Sequence, residues 1–145
     1  MTPKEYLQQY QCSVKRARAA IDHLHELQSM ATRITPLYGG EGGGGQHQSG
    51  DEKMLNAVDK IIEAKNRVSD ELEMLEATER EVVKTINGVQ DGTLSTLLYE
   101  RYINGKTWEQ IAVLMNYTYR RVIQLHGKAL NAVKDFLEFP IQNMI

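Results

Sequence analysis

Between Tyr117 and Lys134 the chain carries Arg120, Arg121, Lys128 and Lys134 and no acid, a charge of +4 over 18 residues. The stretch opens with Thr118, Tyr119, Arg120 and Arg121, and Gln124 follows one helical turn later. Guanidinium and carboxamide groups read guanine and adenine edges through paired hydrogen bonds, and the major groove admits an α-helix. Lys128, with Lys106 and Thr107 upstream, suits the phosphate backbone, where contacts set register without reading sequence. Each paired base contact discriminates by about 1–3 kcal/mol, so a reader this small needs a second copy or a tethering partner.

No competing chemistry emerges. His23 and His25 are two residues apart, on different faces of a helix, and make no ligand pair with His47 or His126. His126 borders the reading segment, where a structural or phosphate role fits it better than a metal. Cys12, the single cysteine, has no His/Asn context for nucleophilic catalysis. We therefore expect no catalytic residue, no metal and no cofactor.

The reading residues need a frame. Tyr102 to Leu130 reads as two helices of unequal length, joined by a turn at Asn116-Tyr117 too short to let them run antiparallel. That is the pattern of a helix-turn-helix. Trp108, Ile111 and Ala112 on the first helix and Val122 and Leu125 on the second form its scaffold, with small Ala112 at the crossing. Leu114, Met115, Ala129, Val133, Phe136 and Leu137 are further apolar positions. Thr107 and Thr118 stand where N-caps belong, and the reading helix is expected over 118–138. Upstream, Leu94, Leu97, Leu98 and Tyr102 mark another short helix, closed by Asn104-Gly105.

The first half has a different pattern. Thr2 and Glu5 make a capping box ahead of a long helix, with Pro3 at its first position and Thr35-Pro36 as its expected end. Leu7, Tyr10, Val14, Ala17, Ile21, Leu24, Gln28 and Ala31 follow 3-4 heptad spacing. A second seam runs through Met54, Val58, Ile61, Lys65, Val68, Leu72 and Leu75. Seven of the 11 glycines fall in GGEGGGGQHQSG, residues 39–50. The tract has no Lys-Ser/Thr after its glycines, so it reads as a flexible loop (37–50), not a phosphate cradle. Two heptad helices joined in this way can form a hairpin, an oligomer seam or both. Thr78-Glu79-Arg80-Glu81, a second capping box, predicts a new helix start. The expected fold is all-α: a helical hairpin over 1–77 and a compact helix-turn-helix domain over 78–140.

Composition is consistent with this division. The 145 residues are 41% hydrophobic and 25% charged, which argues against wholesale disorder. The net charge of −2 excludes a uniformly basic nucleic-acid coat. By segment it is +2 for 1–35, −1 for 36–50, −4 for 51–77 and +1 for 78–145. With one cysteine, no signal-type apolar stretch and no long apolar run, a cytoplasmic protein with no membrane contact is expected.

The motifs Leu97-Leu98-Tyr99-Glu100-Arg101-Tyr102, Gly105-Lys106-Thr107-Trp108-Glu109-Gln110-Ile111-Ala112 and Val122-Ile123-Gln124-Leu125-His126-Gly127-Lys128-Ala129-Leu130 resemble region 4 of bacterial sigma factors. The whole layout is similar to small phage-encoded regulators of the RinA/ArpU type. Gly127 stands where that pattern has a basic residue, and Ile123 is apolar beside the reading face. The resemblance implies transcriptional control of phage late genes in a bacterial host. In it Thr118, Tyr119, Arg120, Arg121, Gln124 and Lys128 face the groove of double-stranded DNA, and direct contact with RNA polymerase is admitted. With no sigma region 2, promoter melting is not expected. Two alternatives belong to other classes: a polymerase-binding module without DNA readout, and a phage terminase small subunit. In the latter the reader usually precedes the oligomerising part, opposite to the order here.

Overall fold

The computed structural model describes the backbone of residues 1–38 and 47–138, with side chains for 1–33 and 50–138. The fold is all-α, with no strand among the described residues. Five α-helices follow in order: α1 Pro3–Tyr38, α2 His47–Asn87, α3 Gly92–Leu98, α4 Trp108–Met115 and α5 Tyr119–Glu138. A π-helical turn, Tyr99–Ile103, prolongs α3. None of the described helices is long and apolar enough to cross a membrane.

The capping box at the start of α1 forms as expected: Glu5 N donates to Thr2 Oγ1 at 3.1 Å, and Thr2 N donates to Glu5 Oε2 at 2.9 Å. The helix runs past Thr35-Pro36 to Tyr38. A proline removes one backbone donor, and here only the closing turn depends on it. Of the expected loop 37–50, positions 37–38 and 47–50 are helical, and the rest lies outside the described residues.

Thr78 does not start a helix: α2 continues through it to Asn87. A Thr-x-x-Glu pattern caps only where the preceding backbone is not helical, and the run ELEMLEATEREVVK is rich in strong helix formers. Thr78 is instead half-buried and accepts a 3.4 Å hydrogen bond from Ser13 Oγ.

The chain forms two compact units, Met1–Val14 with Leu75–Ile145, and Lys15–Met74. The expected boundary at 77/78 is thus close, but the first 14 residues belong with the C-terminal unit. In the unit of Lys15–Met74, Ala17, Ala20 and Ala64 are buried. The expected α1 positions there are sheltered except Gln28. On α2 the sheltered row is Met54, Ala57, Ile61, Ala64, Val68, Glu71 and Leu75. Val58, Lys65 and Leu72, expected on the seam, are exposed. Hydrophobicity favours the larger residues for the seam, but alanines allow two helices to approach closely.

The other unit holds the larger core. Leu7, Val82, Ile86, Leu97, Leu98, Ile111, Val122, Ala129 and Val133 are fully buried in one cluster with Tyr102 and Leu125. Asp91 caps α3 by accepting from Thr93 N and Leu94 N. Ser95 Oγ then donates to the Ile86 carbonyl, closing the passage from α2. Tyr6 reaches Thr85 across 3.0 Å, hydroxyl to hydroxyl, and so joins α1 to the last turns of α2.

Candidate nucleic-acid interface

The frame for the reading residues is a helix, a three-residue turn and a second helix. Thr107 caps α4: its hydroxyl accepts from Gln110 N at 3.2 Å, and Gln110 Oε1 accepts from Thr107 N at 2.9 Å. Asn116 ends α4 in the left-handed conformation (φ 59°, ψ 43°), and Tyr117 N returns to the Ala112 carbonyl at 3.0 Å. Asparagine tolerates this conformation better than most side chains do. Thr118 Oγ1 accepts from Arg121 N at 3.1 Å and starts α5.

Ile111, Ala112, Val122 and Leu125 are buried and Trp108 is half-buried, so the expected scaffold set lies together in the core. Leu114, expected among the apolar contacts, is 53% exposed, and its neighbour Val113 is 83% exposed. On α5 the buried row is Val122, Leu125, Ala129 and Val133. Arg120, Gln124, Gly127, Asn131 and Lys134, at 4-3-4-3 spacing, occupy the opposite side, and all are exposed. Thr118, Tyr119, Arg121 and Lys128 are also exposed.

Two of the expected phosphate contacts are otherwise engaged. Lys106 Nζ lies 2.7 Å from Glu100 Oε2. Hydrogen bonds from Lys106 and Asn104 hold the Glu100 carboxyl below the usual glutamate range. The Thr107 hydroxyl serves the α4 cap. Lys106 is thus paired with an acid, and the Thr107 hydroxyl accepts a cap hydrogen bond, which leaves its O–H as a donor.

A cluster that the sequence reading overlooked holds α5 in place. Arg101 stacks over Trp108 at 4.4 Å from the ring centre, and its Nη1 donates to the Lys106 carbonyl at 2.9 Å. Trp108 packs against His126 at 4.4 Å between ring centres, and His126 Nε2 lies 2.7 Å from Tyr102 Oη. Burial, then the positive charges of Lys4 and Arg101, press His126 down to about 4, so its ring is neutral at pH 7. Burial pushes the Tyr102 phenol up to about 12. His126 therefore supports the frame and carries no charge toward phosphate. The π-helical turn leaves the Tyr102 and Ile103 carbonyls to be satisfied by the Gln11 amide, at 3.0 and 3.2 Å. The only sequence trace of this cluster is four side chains of matching chemistry, and nothing in their spacing pairs them.

Among the described residues no group of three or more His, Cys, Asp or Glu could hold a metal ion. Comparisons with protein-family models, with curated proteins and with solved structures each returned no match.

Proposed function

We propose that this protein is a sequence-specific DNA-binding regulator of transcription, with α5 as the reading helix in the major groove. The observation that carries the proposal is the exposed row Arg120, Gln124, Asn131 and Lys134, with Arg121 and Lys128 beside it, on a helix whose other side is buried against α3 and α4. Arg120 and Gln124 read base edges, and Arg121, Lys128 and Lys134 meet phosphates. Together with the resemblance to sigma region 4 and to RinA/ArpU-type regulators, this favours control of phage late promoters in the host cytoplasm. The test is selection from a randomised duplex pool followed by footprinting. Failure to enrich or protect any sequence, at salt down to about 50 mM where phosphate contacts are strongest, overturns the proposal.

The small number of base contacts favours two copies on one site. Leu55, Val58, Ile62 and Leu72 on α2 are 63%, 43%, 52% and 44% exposed and keep 3-4 spacing, continued through Lys65 and Ser69. This second seam on one helix is the kind of face that pairs with its own copy. A further reading, an RNA polymerase-binding module without readout, draws on exposed Val113 and Leu114. Capture of polymerase by a protein that enriches no DNA sequence would favour it.

A further inference from the structure

Gly127 sits in the third turn of a 20-residue helix, where glycine weakens helix formation relative to alanine. Its own fold gives no reason for it. Its φ is not positive, and a side-chain carbon built on it would meet nothing within 4 Å beyond the adjoining backbone of its own helix. Not even Ile123, one turn earlier and 38% exposed, fills the space. The gap lies on the outward row of α5, with Gln124 before it and Asn131 after it.

We infer that Ile123 and the bare backbone at Gly127 form an apolar notch that takes the C5-methyl group of a thymine. The inference rests on the DNA-reading proposal above and names a base class for it. A helix with its side chains is about 10–12 Å across, and the major groove is about 12 Å wide, so a full helix only just enters. Removing one outward side chain lets the helix sit deeper at that point. Thymine alone presents a methyl group on the groove floor, and apolar side chains are what recognise it. A branched side chain beside bare backbone offers that surface. The flanking Gln124 and Asn131 carboxamides remain free to bond the neighbouring bases.

The probe is the duplex that the wild-type protein enriches from a randomised pool, with each thymine replaced in turn by deoxyuridine, which differs only by the methyl group. At one position the replacement should weaken wild-type binding about 3- to 10-fold. Gly127→Leu should bind the parent duplex at least 10-fold more weakly and respond to none of the replacements. The same substitution should leave the free protein's Tm unchanged or raise it by roughly 2–4 °C, because leucine is the better helix former. If the wild type tolerates every deoxyuridine, or Gly127→Leu binds within twofold of wild type, the notch is overturned and DNA reading stands. If no sequence is enriched, both proposals fall.

Discussion

Tyr102 and His126 meet at 2.7 Å, Oη to Nε2, and this contact ties the π-helical turn before α4 to the middle of α5. Both partners are neutral at pH 7: burial has pushed the imidazole down to about 4, and the phenol, raised to about 12, keeps its proton. A neutral hydrogen bond, flanked by Trp108, Arg101 and Lys4, thus fastens α5 to the π-helical turn.

That dependence has a pH signature. The His126 pKa falls from an ordinary 6.5 to about 4 on folding. Between those values the unfolded chain binds a proton that the folded chain does not, so stability is complete above about pH 6.5 and declines as pH falls toward 4. With the ring only partly buried, the loss is roughly 1–2 kcal/mol. Urea midpoints measured from pH 7 to 4 should show it, and His126→Phe should flatten the profile whatever its absolute stability. Tyr102→Phe should cost about 1 kcal/mol at pH 7.

Arg120→Ala and Gln124→Ala should narrow the difference between selected and random duplexes by about 1–3 kcal/mol each. Lys128→Ala should instead weaken both duplexes alike and reduce the salt slope by about one. Titrations at several salt concentrations separate the two behaviours. An equal loss on both duplexes in all three variants would contradict the assigned roles.

Leu7 is fully buried in the core cluster that includes the inner side of α5, so Leu7→Ala should cost about 2–5 kcal/mol. Gln11→Ala leaves the Tyr102 and Ile103 carbonyls without their amide donor and should cost about 1–3 kcal/mol. Trp108, the single tryptophan, reports both losses by fluorescence during urea unfolding. A separate N-terminal arm would leave that signal untouched.

If α2 pairs with a second copy, Leu55→Glu combined with Ile62→Glu should convert a dimer to a monomer in sedimentation velocity. Both side chains are more than half exposed, so helicity should be unchanged. A wild-type monomer at high micromolar concentration would rule this pairing out.

Where a threonine acts on backbone three residues on, the sequence was readable, although the Asp91 cap of α3 escaped it. Thr2, Thr107 and Thr118 cap helices because a threonine hydroxyl reaches an N–H three residues on. The buried row of α5 follows from its helical period alone. Thr78 misled because the same four-residue pattern acts only at a true helix start. The α2 seam was displaced at Ala57 and Ala64 because alanine carries little hydrophobic signal although it suits close packing, and Glu71 in place of Leu72 follows the same shift of face. Gln11 and Tyr102, 91 positions apart, meet through tertiary structure, and no local rule anticipates them.

The unit that carries α5 is discontinuous, because residues 15–74 interrupt it. During synthesis Leu7 leaves the ribosome well before Val82 exists, and α5 emerges last of the described helices. The core of that unit therefore closes late, and the first turns of α1 must wait for their partners with apolar side chains uncovered. Residues 15–74 are an insertion into the unit that carries α5, and the closing of that unit waits on their synthesis.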